Sequence, residues 1–420
     1  MFEIFAEFLI VGGGPAGLSA ALAIAENSDR RVLIVDENPQ LGGQIWRAEL
    51  GRIKSPEAAR ILEKIDRKKI QILNRAFIFA VFDKNTLLAE TNRGPAKLKF
   101  EKLILSTGGR ERFLPFPNWT LPNVFGAGGL QALVKGGFSV TGKRVVVAGS
   151  GPLLLAVADF LRSKGAEVLL VAEQAEASSL FRFGIGLWNQ PGKLKQAFTL
   201  GKNLRGTKIL TGAWITEAIG REKLEAVRYR RKNKIREIEC DLLACGFHLV
   251  PNPEIAALLG CSLENGFVKV SHWQETSVEN VFCAGETTGI GGLELALLEG
   301  KIAGLSASGQ MEIARKFFSE RDKLQRFARG LDRAFKLRKE LRDLAEAETI
   351  VCRCEDVRFG KIKDFRSWRD AKLQTRCGMG ACQGRVCGPA CQFLFGWENE
   401  SFRPPVFPVK LESLAGLDII

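Results

Sequence analysis

Six of the ten cysteines in this 420-residue chain fall between Cys352 and Cys391, and none precedes Cys240. In RCGMGACQGRVC (376–387), Cys377, Cys382 and Cys387 recur every five residues, and CRC at 352–354 supplies Cys352 and Cys354 upstream. C-x-C plus C-x4-C, with glycines where a backbone passes close to a ligand, is poorly explained as the packing of small residues. Cys352, Cys354, Cys382 and Cys387 can instead surround one metal centre. A tetrahedral zinc and a [2Fe–2S] cluster both accept four thiolates, so spacing does not separate them. Nor does it choose between Cys377 and Cys387 as partner of Cys382, and Cys391, one helical turn past Cys387, is a further rival. The only histidines are His248 and His272. A histidine-rich metal site or a catalytic triad has little to draw on, and both are expected to be structural. No residue is singled out as a catalytic acid or base.

A second pattern opens the chain. FLIVGGGPAGLSAALAIAE reads as a buried strand, a glycine turn and a helix, with Gly12, Gly14 and Gly17 in the order G-x-G-x-x-G and Pro15 at the helix start. The first glycine permits the tight turn, the second lets backbone approach a pyrophosphate, and the third lets helix and strand pack closely. The helix N-terminus then offers N–H groups to phosphate. The next strand, RVLIVDEN, ends in Asp36-Glu37, and Glu37 lies 20 residues past Gly17, where a carboxylate can accept from a ribose hydroxyl. These features predict a dinucleotide site. They also break the charge-free run of 18 residues from Phe8 to Ala25 into strand, turn and helix, which argues against a membrane span.

GKRVVVAGSGPLLLAVADFLRSKGAEVLLVAEQ (142–174) repeats the plan. Gly149 and Gly151 hold the first two glycine positions, Leu154 replaces the third, and Glu173 closes the next strand as a candidate ribose ligand. A nicotinamide site here is weakened without being excluded, so a second nucleotide, NAD(P) or another, stays open. Cys240 and Cys245 are the only pair near this region. On one strand they would face opposite sides with Cα atoms ~16 Å apart, too far for a disulfide, and both are expected in the core.

LGGQIWR (41–47), with Gly43 and Gln44, resembles the segment that runs alongside FAD in flavoproteins with two dinucleotide domains. LILSTGGRERFLP (103–115), with Thr107 and Gly108, resembles their A-T-G strand, and TSVENVFCAGETTGIGGLELALLEGKIAG (276–304) their closing FAD segment. In that segment Gly285, Glu286 and Gly292 fall on flavin-binding positions, Glu286 standing where aspartate is usual. The helix from Gly292 would point its positive end at the flavin. Residues 350–396 resemble the bacterioferritin-associated-ferredoxin type of [2Fe–2S] domain, through C-x-C-E at 352–355 and G-M-G-x-C-Q-G-R-x-C at 378–387. With RERFLPFPNWTLPNVFGAGGLQALVKGG (110–137), AGETTGIGG (284–292) and RPPVFPV (403–409), nearly the whole chain resembles the FAD-containing larger subunit of opine oxidases, hydrogen cyanide synthase and D-hydroxyproline or dye-linked proline dehydrogenases. That resemblance implies FAD, and a [2Fe–2S] cluster on Cys352, Cys354, Cys382 and Cys387 rather than on Cys377 or Cys391.

The expected fold is α/β, with two Rossmann-like dinucleotide-binding domains and a small C-terminal helical iron–sulfur domain. The expected limits are 1–112 and 243–310 for the FAD domain, 113–242 for an inserted nucleotide-like domain, 311–349 for a helical connector, 350–396 for the cluster domain and 397–420 for a tail. The implied function is an electron-transfer subunit of a multi-subunit amino-acid or opine dehydrogenase. Its partners would be a substrate-oxidising flavoprotein subunit and a further small iron–sulfur subunit. The alternatives are a self-sufficient NAD(P)H-dependent reductase of a small electron carrier and a scaffold subunit with structural cofactors. Composition agrees with a soluble protein, at 46% hydrophobic and 26% charged residues. MFEIFAEF lacks a basic signal region, so a cytoplasmic location is expected. The net charge of +14 is diffuse and densest at 315–344, where Phe and Leu recur at helical spacing. This favours amphipathic helices, a docking surface for a partner protein, over a nucleic-acid site.

Overall fold

The structure is a computed structural model, described here for residues 1–49, 51–68, 70–186, 191–398 and 402–415. Part of the expected tail, 399–401 and 416–420, lies outside the described residues. The chain forms two compact units. One comprises Met1–Arg110, Leu249–Ala328 and, of the described C-terminal residues, 402–415; the other comprises Glu111–His248 and 329–398. The cysteine-rich segment thus belongs to the same unit as the second glycine turn.

The first unit is built on a seven-stranded sheet. Phe2–Val11 lies between Val32–Asp36 and Gly94–Leu105, parallel to both, and Ile10 is in register with Ile34 and Ile104. Gln71–Asn74 extends one side, and Val281–Cys283 pairs in parallel with the end of Gly94–Leu105. Val32–Asp36 is buried at every residue, as a strand covered on both faces requires. Phe77–Asp83 and Thr86–Thr91 add an antiparallel meander that leads the chain back to the central strand. Helix Pro15–Ala25 packs on helix Leu293–Ala307 at very short range. A Cβ on Gly300 would stand 2.1 Å from the Ala16 carbonyl oxygen, and one on Gly304 2.4 Å from that of Ala20. Glycines four apart thus open a flat stripe that lets the two backbones touch.

The second unit carries a five-stranded parallel sheet in the order Lys208–Thr211, Glu167–Glu173, Arg144–Ser150, Leu242–Phe247, Val124–Gly126. The antiparallel strands Ala213–Ile219, Ala226–Arg231 and Lys234–Glu239 follow it. A short pair, Ile350–Cys352 with Val357–Arg358, and helices Trp368–Thr375 and Cys387–Phe395 make up the cysteine-rich part. The Trp119 indole N–H donates to the Ile350 carbonyl at 2.6 Å and ties this part to the sheet region. All ten cysteines are free thiols. Cys240 and Cys245 are fully buried in one apolar cluster and do not face opposite sides, because the strand starts at Leu242 and Cys240 precedes it.

The basic stretch 315–344 is helical over Phe318–Ala334. Several of its side chains are engaged in holding the fold and are not free for docking. Arg321, 3% exposed, donates to the His272 carbonyl at 2.6 Å and meets its Nδ1 at 2.9 Å, and Gln325 donates to Glu299. Among the described residues, no helix is long and apolar enough to cross a membrane. Gly300→Ala should cost about 1–3 kcal/mol through overpacking, read as a lower calorimetric melting temperature. Gly201→Ala, with nothing within 4 Å of its Cβ, should not lower it.

Candidate functional site

The first glycine turn leaves the end of Phe2–Val11 with Gly12 at φ +105°. A Cβ there would lie 2.2 Å from the Ser106 carbonyl oxygen, and one on Gly17 1.9 Å from that of Gly12. Helix Pro15–Ala25 begins after Gly14 with no side-chain cap and no acid in its first turn, so its leading N–H groups face the turn uncapped. The two acids at the end of the second strand have different tasks. Asp36 is buried and accepts from the Gly13 N–H at 2.6 Å and from Asn38; Glu37, the residue singled out for ribose, is exposed just beyond it. Gly42 donates its N–H to the Gly13 carbonyl, which brings Gly43 to the turn, where its Cβ would lie 3.0 Å from the Gly14 Cα. Gln44 is exposed there and accepts from Arg47 at 2.9 Å.

The other flavin-related segments meet at the same end of the sheet. Thr107 donates to the Asn252 carbonyl at 2.7 Å and lies 3.2 Å from the Thr287 hydroxyl, while Thr287 donates to the Gly108 carbonyl. Gly285, at φ +83°, gives its N–H to the buried Glu299. Glu286 accepts the Gly292 N–H at 2.9 Å, at the head of helix Leu293–Ala307. That helix end is therefore met by a carboxylate of its own chain, which spacing alone did not disclose. A tight glycine cradle, an uncapped helix start and an exposed acid at the strand end fit a dinucleotide with a pyrophosphate and a ribose.

The second turn has the same backbone and different surroundings. Gly149, at φ +131°, would place a Cβ 1.8 Å from the Gly246 carbonyl oxygen. Leu154 is buried in the core beside this sheet. Glu173 does not stand beyond its strand: it is buried and accepts from the Gly151 and Ala175 N–H groups, both at 2.8 Å. It does the work of Asp36 rather than of Glu37. Burial pushes its carboxyl up to about 7, against those N–H donors. His248, at φ +67°, has its Nε2 2.7 Å from the Phe335 carbonyl oxygen, and burial holds its pKa down.

The six late cysteines form one continuous group. Cys352, Cys377 and Cys387 are buried with their sulfurs within 4.8 Å of one another. Cys391 neighbours Cys377, Cys382 neighbours Cys387, and the exposed Cys354 neighbours Cys382, each pair close enough for its thiols to interact. The tightest trio therefore contains Cys377, which the family resemblance leaves out. Access divides the group differently. A pocket of ≈ 570 Å³ is lined by Cys352, Cys354, Cys382 and Cys387, together with Glu111, Phe113, Trp119 and Arg353 among others. Cys377 and Cys391 are not among its lining residues and are fully buried in the core.

The intervening glycines explain how the two cysteine segments come together. A Cβ on Gly380 would be 2.4 Å from the Cys354 Cβ, and one on Gly378 2.5 Å from the Trp368 ring. Backbone N–H groups point at sulfur: Gly378 donates to Cys352 at 3.4 Å. The Cys382 thiol is pulled down to about 5, chiefly by the Cys387 thiol and further by the Val386 and Gly384 N–H groups, against burial. Thiols arranged this way can release their protons and bind a metal centre as thiolates. Glu111, half-buried and with its carboxyl pushed up by desolvation, lines the same pocket while accepting the Gly128 and Gly129 N–H groups at the head of helix Ala127–Lys135. RERFLP carries no local signal for that capping role.

Comparison with known proteins agrees with these features. The chain belongs to the pyridine nucleotide-disulphide oxidoreductase family, whose sequence pattern matches residues 6–302. Hydrogen cyanide synthase subunit HcnB of Pseudomonas aeruginosa is 32% identical across 97% of this chain and 98% of its own. An opine oxidase subunit of Rhizobium meliloti is 29% identical across 98% of this chain and 88% of its own. The solved L-proline dehydrogenase from P. horikoshii shares the fold, with a TM-score of 0.72 at 20% identity, over 98% of this chain and 80% of that one. The chain is an FAD-dependent oxidoreductase of mixed α/β fold with Rossmann-like domains.

Two measurements follow from this geometry. Gly43→Val, strained at φ +59° and pressed on Gly14, should lower the FAD bound per chain, read as the ratio of flavin to protein absorbance; full occupancy would contradict the cradle. Between its ordinary 4.5 and about 7, Glu173 is protonated in the native state and ionised in the unfolded chain. Its stabilisation is full below 4.5 and lost as pH rises through 7. Glu173→Gln should flatten that part of a denaturant-midpoint series against pH.

Proposed function

We propose that this chain is the electron-transfer flavoprotein and iron–sulfur subunit of a multi-subunit amino-acid or opine dehydrogenase or oxidase. The observation that carries the reading is the pocket lined by Cys352, Cys354, Cys382 and Cys387 in a chain that also holds an FAD cradle. The relatives support it, being named as subunits of hydrogen cyanide synthase and of opine oxidase. When bound, FAD can take up electrons as a pair and give them up one at a time, and a [2Fe–2S] cluster takes them singly, so the two together would link hydride chemistry to a one-electron acceptor.

In this reading the four cysteines are the ligands, and the residues around them set the site. Gly378 supplies an N–H to the Cys352 sulfur. Arg353 contributes positive charge to the pocket, and Phe113 and Trp119 supply apolar walls. Cys377 and Cys391 serve as buried packing behind the ligands. In the FAD unit, Gly12, Gly14 and Gly43 admit the pyrophosphate, Glu37 takes the ribose, and Thr107, Gly108, Gly285 and Glu286 border the flavin. Substrate oxidation falls to a partner flavoprotein subunit, as no residue here is assigned as a catalytic base.

Iron, zinc and acid-labile sulfide analysis of anaerobically purified protein tests the ligand set. About two irons and two sulfides per chain are expected, lost in Cys382→Ser and kept in Cys391→Ser. One zinc and no iron from iron-replete cells would overturn the cluster. Iron kept in Cys382→Ser and lost in Cys377→Ser would move the ligand set to the buried trio.

A further inference from the structure

At the second strands of its two nucleotide folds, this chain uses one plan in two ways. In the first fold Asp36 braces the turn and Glu37 stands exposed beyond it. In the second, Glu173 braces the turn, so Gln174 takes the position of Glu37. Gln174 is only 1% exposed. Its amide nitrogen donates to the Phe335 and Lys336 carbonyls, both at 3.3 Å, and its amide oxygen accepts the Arg338 N–H at 3.1 Å.

The same short segment is held from two further strands. The Ser150 hydroxyl donates to the Phe335 carbonyl at 3.0 Å, and the His248 Nε2 lies 2.7 Å from it. Ser150, Gln174 and His248 stand at the carboxyl ends of three adjacent parallel strands, Arg144–Ser150, Glu167–Glu173 and Leu242–Phe247. An open α/β sheet binds its ligand along that edge. The Phe335 ring is buried against Ala175 and Ala334, with Leu180, Phe183 and Leu331 around it. Arg338 lies 4.0 Å from the Trp214 ring and pairs with Glu176.

We propose that residues 334–338 are the resident ligand of the second nucleotide fold. The chain's own backbone takes the hydrogen bonds and apolar cover that the adenosine half of a dinucleotide would need. The fold therefore neither binds NAD(P)H nor passes its hydride to the FAD. A dinucleotide could enter only by lifting a buried segment off three polar side chains, breaking the bonds that Ser150, Gln174 and His248 make to it and leaving Ser150 and Gln174 the 2.9 Å bond between themselves. The conclusion does not depend on what the cysteines hold, and it separates the fold's ancestry from its use.

The test uses the FAD-loaded full chain under anaerobic conditions. NADH and NADPH should give no saturable heat by calorimetry up to about 1 mM, the top of the usual KM range, and should not bleach the flavin. Hydrogen exchange should show protected amides at 335–338. A Ser150→Ala/Gln174→Ala variant should raise exchange there at least ~10-fold, the effect of weakening a local hold by about one decade. Stoichiometric binding of NADH or NADPH by the wild-type protein, rapid bleaching, or wild-type amides at 335–338 exchanging as in an unstructured peptide would each overturn the proposal. If the variant fails to fold, the wild-type measurements decide.

Discussion

A Cβ on Gly149 would stand 1.8 Å from the Gly246 carbonyl oxygen, and one on Gly17 1.9 Å from that of Gly12. In the cysteine-rich part, a Cβ on Gly380 would fall 2.4 Å from that of Cys354. No ordinary side chain fits at any of the three. The ends of the central strands, the starts of the helices and the meeting of the CRC and RCGMGACQGRVC segments all depend on this freedom of backbone to approach backbone. The paired helices of the FAD unit extend the same constraint, with Gly300 and Gly304 laid on Ala16 and Ala20. Cofactor chemistry is thus positioned here less by side chains that reach than by side chains that are absent.

The carboxylates complete that frame. Asp36 and Glu173 turn inward and accept N–H groups from their glycine turns, and Glu111 and Glu286 accept N–H groups at the heads of two helices. An acid spent in this way has fewer acceptor sites left for a ligand. The first fold has an exposed acid, Glu37, directly after its brace, where the second has the buried Gln174. The difference between the two folds therefore comes down to the residue after the brace and to what covers it.

Much of this was legible in the sequence. The two strand–turn–helix plans and the meeting of 103–108 with 284–292 follow from glycine spacing and from resemblance, and the parallel sheets from buried apolar runs. The cysteines gathered as their types suggested. Spacing could not show that four line the open pocket while Cys377, which does not line it, lies close to two of those four, Cys352 and Cys387. Glu173 was read as a ribose ligand because a count from the glycines finds an acid without saying which way it turns. Residues 334–338 read as part of a basic amphipathic stretch. Their place at the second sheet depends on Ser150, Gln174 and His248, which are far away in sequence and near in the fold. Cys240 and Cys245 share a core because the strand begins later than its apolar run suggested.

In the proposed function, one chain couples a pair-accepting flavin to a single-electron centre. Stoichiometric anaerobic titration of the cofactor-loaded protein with dithionite, followed by absorbance and EPR, tests it most directly. About three electrons per chain are expected, two on FAD and one on a cluster with its own EPR signal. An end point at two electrons, with flavin bleaching alone and no iron-centred signal in iron-replete protein, would contradict it.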